Sequence, residues 1–316
     1  MSNKYYSNGK LLLTGEYLVL DGAKALAVPT KYGQDLAVSE LEESVLIWES
    51  YDNQQNCWFM TEFRLSDLRI VSETFDTDND DSKESIALTL QKILLQAQEM
   101  NSEFLKSEKG FLVKTNLTFP RDWGLGTSST LINNIASWAQ VDAFELLNKS
   151  FGGSGYDIAC AQNDTPITYQ IANSKPIIEP VVFDPEFKDQ LFFVYLNVKQ
   201  NSRTGIKRYK DRKQDLSQVT QEINEITRQF QIAKTIKELE VLIDRHEQII
   251  AEVIGSKTVK ELVFPDYFGT VKSLGAWGGD FVLVTGNETT PTYFKAKGFD
   301  VVIPYGEMVI GVQSTK

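Results

Sequence analysis

A chain of 316 residues with 42% apolar and 24% charged side chains is long enough for two domains that each bury a core. Its formal charge of -11 repels phosphate backbones and argues against nucleic acid as a partner, but a few amides, a lysine or a metal ion can still hold an anion locally. No apolar run reaches the roughly 18 residues a membrane span needs, and the opening residues lack the apolar core of a secretory signal, so a cytoplasmic protein is expected. Cys57 and Cys160, the only cysteines, have neither metal-ligand nor redox spacing and are expected as buried small hydrophobes.

In chain order, the apolar runs 11–13, 18–20 and 25–28, broken by turn residues, predict short paired strands, and strand-like stretches continue through residues 35–71. An acidic loop at 76–81 precedes a helix that Ser82 is placed to cap and that runs to about Glu99. Residues 111–119 alternate as a strand, Pro120 stops it, and a helix opens at Thr127, Ser128 and Ser129, residues with capping chemistry. Strands are expected near 167–171, 191–198, 281–284 and 301–303. Residues 214–253 read as two helices meeting near Lys234–Thr235, with further helices at about 264–274 and 289–297.

The segment Pro120-Arg121-Asp122-Trp123-Gly124-Leu125-Gly126-Thr127-Ser128-Ser129 joins a strand to a helix. Glycines let a backbone approach a ligand closely, and the helix N-terminus adds partial positive charge, so Gly124, Leu125, Gly126, Thr127, Ser128 and Ser129 suit a phosphate group. A tight turn with a serine-rich cap is the structural alternative. The Walker pattern requires a lysine after the second glycine and the dinucleotide fingerprint a third glycine; neither is present.

This segment resembles the second motif of the GHMP kinases, with Thr127 in place of the usual first serine. Two further segments resemble the family's other motifs, in the family's order. Asn8-Gly9-Lys10 through Gly15-Glu16-Tyr17 to Gly22 is similar to the opening motif, with Asn8 where proline is usual. Lys272-Ser273-Leu274-Gly275-Ala276-Trp277-Gly278-Gly279-Asp280 is similar to the third, with Trp277 in place of a glycine. Between them, Gly153-Ser154-Gly155-Tyr156-Asp157 resembles the element that carries the catalytic aspartate in mevalonate and phosphomevalonate kinases.

The resemblance implies an α+β, two-domain GHMP kinase fold: an N-terminal ribosomal protein S5 domain 2-like domain over 1–186 and a C-terminal ferredoxin-like α/β sandwich over 187–316. It implies ATP and Mg2+, with Asp157 as general base and Lys10 as the positive charge on the acceptor side. Glu16, Tyr17, Ser154, Gly155, Gly278 and Gly279 would border the substrate, and Ser128 and Glu145 would bind magnesium. Each has a structural alternative: Asp157 as a helix cap, Lys10 as a solvated strand residue, Glu145 as a surface carboxylate.

The expected reaction is phosphoryl transfer from ATP to a small metabolite, most simply phosphomevalonate or mevalonate in isoprenoid precursor synthesis, by a monomer or homodimer without a membrane partner. The stretch from Ser128 to Asp157 is 29 residues, shorter than the resemblance leads one to expect. A catalytically silent ligand-binding protein of the same fold is therefore one alternative, and a kinase for a sugar or homoserine is another. His246, within Asp244-Arg245-His246-Glu247, is expected on the surface, and Lys199, Ser202 and Arg203 form either an anion-facing or a solvated loop.

Overall fold

The computed structural model describes residues 3–75, 83–198, 205–206, 209–211, 216–275 and 277–311. Compactness divides the chain into two interleaved units. Met1–Gly9, Tyr32–Arg121 and Leu125–Gln162 form the first, while Lys10–Lys31, Asp122–Gly124 and Asn163–Lys316 form the second. This grouping differs from a single boundary at 186, because the strands β1 (Asn3–Leu12) and β2 (Ala25–Leu41) each run on from one unit into the other.

In the first unit, residues Gln34–Leu41 of β2 pair antiparallel with β6 (Gly110–Leu117), which pairs in parallel with β3 (Val45–Tyr51). Antiparallel β4 (Cys57–Arg64) and β5 (Ile70–Phe75) complete that side of the sheet. In β4, Phe59, Thr61 and Phe63 point inward and Met60 and Arg64 outward, the period-two pattern of a half-buried strand. Trp48, Phe59 and Phe63 of this sheet share one core with Leu94 of α1 (Lys83–Met100) and Ile132 and Ile135 of α2 (Thr127–Ala139). Burying each such side chain contributes about 2 kcal/mol. The α1 helix ends one residue past its expected end; the acidic loop and the Ser82 cap lie outside the described residues.

The second unit contains an antiparallel sheet in the order β10 (Val271–Ser273), β11 (Phe281–Thr285), β9 (Leu191–Tyr195), β12 (Val302–Pro304). The start of β2 pairs there with β7 (Ile167–Ala172), which forms a hairpin with β8 (Lys175–Pro180). Asn173 and Ser174 make the two-residue turn with φ of 51 and 60°, the left-handed geometry that follows the twist of paired strands. The helices α5 (Ser217–Ile232) and α6 (Ile236–Ile254) pack together and meet at Thr235, whose side chain accepts the Glu238 N–H.

Two local expectations are corrected. Residues Leu18–Asp21 form a 3-10 turn rather than a strand, closed by Gly22 at φ 87°. A helix does not cover 264–274: α7 (Val259–Val263) starts earlier, at a capping box between Thr258 and Glu261, and ends before Pro265, leaving Val271–Ser273 to join the sheet as β10. β8 was missed because Lys175–Pro180 is mostly exposed and shows no alternation. Two short helices, α8 (Thr290–Ala296) and α9 (Tyr305–Met308), flank β12; α8 was expected from sequence. Among the described residues, no helix is long and apolar enough to cross a membrane. Cys160 is buried as expected; Cys57 is only partly so.

Candidate functional site

The helix that follows the glycine-rich segment is held at its first turn by buried polar contacts of the first unit. Gly126, at φ 99°, is the N-cap of α2 and no side chain caps the helix, so Thr127–Ser129 do not play the capping part expected of them. Instead the Ser129 and Thr130 hydroxyls donate back to the Gly126 carbonyl at 2.9 and 3.0 Å. The Thr130 hydroxyl also lies 2.8 Å from Gln34 Oε1, its one proton shared among its acceptors, and Asn134 Nδ2 donates to the Gln34 carbonyl at 2.9 Å. Ser7 of β1 donates to Asn134 Oδ1 and accepts from Asn133 Nδ2, while Asn133 Oδ1 accepts from Gln162 Nε2. The last bond reaches the end of α4 (Tyr156–Ala161), the helix that carries Asp157, and α4 packs on α2.

The free amides at the start of α2 and the exposed Ser128 hydroxyl make that end a natural anion site. Gly155 at φ 87° is the N-cap of α4, and Asp157 lies half-buried in the first turn, so Asp157 is not itself the cap. Ser154 is half-buried and Gly155 fully buried in the same turn. The structure thus packs the helix that begins at the serine-rich turn against the aspartate-bearing helix within one unit, with Gln162 and Asn133 bonded between them.

Glu145 sits on α3 (Ala143–Ser150), whose N-cap is Asp142; its carboxylate lies 4.0 Å from Lys149 and its side chain is 58% exposed. That is the arrangement of a surface i,i+4 pair, worth a few tenths of a kcal/mol. Magnesium prefers a hydroxyl or one or two carboxylates beside phosphate oxygens; the exposed Ser128 hydroxyl suits that donor set, whereas the Glu145 carboxylate is turned to Lys149. Among the described residues, no three His, Cys, Asp or Glu side chains gather as a metal site.

In the second unit, Lys10 at the end of β1 donates from Nζ to the Gly124 carbonyl at 2.9 Å. Gly124 has φ 65°, and a β-carbon there would run into the Asp280 carboxylate, so only glycine fits. Trp123 packs edge-on against Phe281 at 5.3 Å between ring centroids, and Tyr195 donates to Asp122 Oδ2 at 2.9 Å, which fixes Asp122–Gly124 on β9 and β11. Gly278 is exposed and Gly279 buried just before Asp280.

The Gly15-Glu16-Tyr17 turn is built differently from expectation. Glu16 is 1% exposed, and its carboxylate is taken up by Lys272 Nζ at 2.6 Å rather than displayed to a ligand. His246 is fully buried and accepts the Gly15 N–H at 3.0 Å, which corrects its placement on the surface. The reason is helical spacing: Leu239, Ile243, His246, Ile250 and Val253 form one stripe on α6, and the histidine shares it despite its charged neighbours. Tyr17 stacks on Tyr209 at 5.6 Å, and its hydroxyl accepts the Trp277 N–H at 3.2 Å. Lys272, Glu247 and Tyr209 went unremarked in the sequence as site residues; for Glu247, the apolar stripe beside it was the available signal. The stretch at 199–204 lies outside the described residues.

No protein-family model matches the chain, and no curated protein matches it by sequence. Solved structures do match it nearly end to end. The Methanococcus jannaschii mevalonate kinase is 13% identical with a TM-score of 0.68, covering 96% of this chain and 97% of that one. The L. major mevalonate kinase in complex with R-mevalonate is 16% identical with a TM-score of 0.65, covering 99% and 97%. The Streptococcus pneumoniae phosphomevalonate kinase in complex with phosphomevalonate and AMPPNP is 14% identical with a TM-score of 0.65, covering 93% and 95%. The chain has the GHMP-kinase fold. The mixed α+β class read from the sequence stands with it.

Within the GHMP-kinase fold the three motif segments fall at a strand end with its turn, at a strand-to-helix turn, and at the β10–β11 connection. Each of the three contains left-handed backbone, at Gly15, at Gly124 and Gly126, and at Gly275 and Gly278. Such positions let backbone amides come close to a bound group, a property side-chain patterns alone do not confer.

Proposed function

We propose that the chain is an ATP-dependent small-molecule kinase of the GHMP type, with phosphomevalonate or mevalonate as acceptor. The observation that carries this reading is the packing of α4, with Asp157 in its first turn, on α2, whose uncapped first turn follows the glycine-rich segment. The fold shared with an AMPPNP-bound phosphomevalonate kinase supports it.

In this reading the phosphates of ATP take the free amides of α2 and the hydroxyls of Thr127 and Ser128, with Gly124, Leu125, Gly126 and Ser129 shaping the turn. Magnesium, when bound, neutralises charge that develops on the transferred group; Ser128 would hold it, and Glu145 would join only by exchanging Lys149 for the metal. Asp157 orients the acceptor oxygen and, for a hydroxyl acceptor, takes its proton. Lys10 supplies localised positive charge; Tyr17, Gly278 and Gly279 are the second unit's acceptor-facing residues, and Ser154 and Gly155 those of the first. Glu16 acts from behind, through Lys272.

A second reading is a ligand-binding protein of the same fold without catalysis. The pairing of Glu145 with Lys149 favours it, since it leaves the magnesium site short of a carboxylate. One experiment separates the two: ADP release with ATP and Mg2+ against mevalonate, phosphomevalonate, homoserine and several sugars. ADP release that depends on mevalonate or phosphomevalonate supports the kinase reading; ATP binding with no acceptor-dependent release overturns it in favour of the silent binder.

A further inference from the structure

Two carboxylates, one ammonium and one imidazole of the second unit lie together out of reach of water. Glu16 stands in the turn after β1, His246 and Glu247 are neighbours on α6, and Lys272 belongs to β10; none is more than 3% exposed. Lys272 Nζ donates to Glu16 Oε1 at 2.6 Å, to the Ser273 carbonyl at 3.0 Å and to Glu247 Oε1 at 3.4 Å, which uses all three of its protons.

His246 Nε2 accepts from the Gly15 N–H, so that nitrogen carries no proton and the ring is neutral, protonated on Nδ1. Burial first, and then the Lys272 charge, hold the ring's pKa well below its ordinary value. The 3.2 Å approach of Glu16 Oε2 to the same nitrogen is therefore not an ion pair.

Charge then has to be balanced by protons. Two ionised carboxylates against one ammonium would leave a net negative charge in the interior, at a cost of several kcal/mol, and a single proton removes it. Glu16 is the nearer partner of Lys272 and remains the ionised one. Glu247 is farther away; burial first, with the Glu16 charge adding to it, pushes its carboxyl up to about 7 against the pull of Lys272. Burial raises Glu16 as well, opposed by Lys272. Ser273 faces Glu247 from β10, and neither Glu247 Oε2 nor the Ser273 hydroxyl has another hydrogen-bond partner among the described residues. The other charged groups of α6 face elsewhere: Glu238 toward the Lys234 N–H, Glu240 toward Lys237 and Thr285, Asp244 toward Lys260, Arg245 toward Glu222 of α5, and Glu252 toward Arg245.

We propose that His246, Glu247 and Lys272 are positioning residues for the Gly15–Tyr17 turn, holding it through the Gly15 N–H and the Glu16 carboxylate with one proton kept on Glu247. The turn presents Tyr17, so the inference deepens the kinase reading and rests on it for the part Tyr17 plays at the acceptor. The proton and the bond to Gly15 stand independently of any turnover. When Glu247 releases its proton to solvent, Lys272 must divide its charge between two ionised carboxylates, and its hold on Glu16 weakens.

The chain has a single histidine, so its ring nitrogens give one unambiguous pair of signals in the 15N-labelled full-length protein. From about pH 5.5 to about pH 8.5 the ring is expected to stay neutral with its proton on Nδ1. Over the same range the Gly15 amide signal is expected to move with a midpoint near that of Glu247. Glu247→Gln keeps the shape of the protonated acid and should hold the Gly15 amide at its low-pH position throughout. An imidazolium forming in this range, a Gly15 amide that does not titrate, or a midpoint that survives Glu247→Gln overturns the proposal. The wild-type protein gives a second reading that needs no variant. The infrared band of a protonated carboxylic acid should be present below the midpoint and vanish above it, and its absence at the lower pH is equally decisive against the proposal. Neither measurement requires ATP or an acceptor, so failure here is distinct from failure of the kinase reading.

Discussion

The carboxylate of Asp280 occupies the space a β-carbon on Gly124 would need, and both residues have left-handed backbones, at φ 52 and 65°. Gly124→Ala should therefore be strained twice, by its dihedral and by the carboxylate against it, and should cost about 1 to 3 kcal/mol of stability. The Gly124 carbonyl also takes the Lys10 ammonium, so ATP affinity should fall at least about tenfold, about 1.4 kcal/mol. Denaturant midpoints and nucleotide titration check both. Adding Asp280→Ala to the same chain should recover the steric part of the loss and leave the dihedral part; a double variant as unstable as Gly124→Ala alone would show that the carboxylate is not what the glycine makes room for.

Asp157→Asn preserves the shape of the α4 first turn while removing the group that orients the acceptor. Acceptor-dependent ADP release should drop by about 100-fold or more, with nucleotide affinity changed less than about twofold. Steady-state kinetics beside an ATP titration separate the two quantities. Unchanged turnover would take Asp157 out of the reaction.

Much of this architecture was legible in the sequence, and the failures have physical causes. β9, β11 and the α5–α6 pair announced themselves by continuous apolar runs or helical spacing, and left-handed glycines marked the motif turns. His246 was misplaced because its immediate neighbours Asp244, Arg245 and Glu247 read as a solvated face, while the stripe through Ile243 and Ile250 had the deciding weight. Lys272 opens the third motif segment, but its burial could not be found from sequence. A lysine between Val271 and Ser273 is buried only because Glu16, 256 positions earlier, waits for it, and single-chain patterning is blind to such a pairing. Glu145 shows the converse: a resemblance assigned it a ligand part, and the structure places it beside Lys149 at the surface.

Asn134 bridges Ser7 of β1 and the Gln34 carbonyl of β2 from the face of α2, with all three groups buried. Asn134→Ala removes one partner from each bond, leaving the Ser7 proton without its acceptor and the Gln34 carbonyl without this donor, at about 2 to 4 kcal/mol in total. The same substitution loosens the anchorage of the α2 first turn and should weaken ATP binding more than a distant core change of equal cost, such as Ile93→Ala in α1. Matching the two variants for stability and comparing their nucleotide affinities is the check. Equal affinities would show that the polar contacts stabilise the helix without tuning its ligand end.

Glu247 makes the stability of the protein depend on pH in a direction opposite to that of an ordinary surface carboxylate. Its carboxyl is raised from 4.5 to about 7 in the folded chain, so the folded state keeps a proton that the unfolded state releases. The resulting contribution to stability is full below about pH 4.5, falls as pH rises through about 7, and is flat beyond; a shift of this size corresponds to about 3 kcal/mol. Glu247→Gln cannot lose a proton and lacks this fall. Relative to wild type it should be close to neutral at about pH 4.5 and should gain up to about 3 kcal/mol at about pH 8. Every other titrating group is common to both proteins, so the difference between their urea midpoints isolates this one carboxyl. A difference that is the same at both pH values would mean that Glu247 is ionised in the folded protein across the range, and that Lys272 balances two charges unaided.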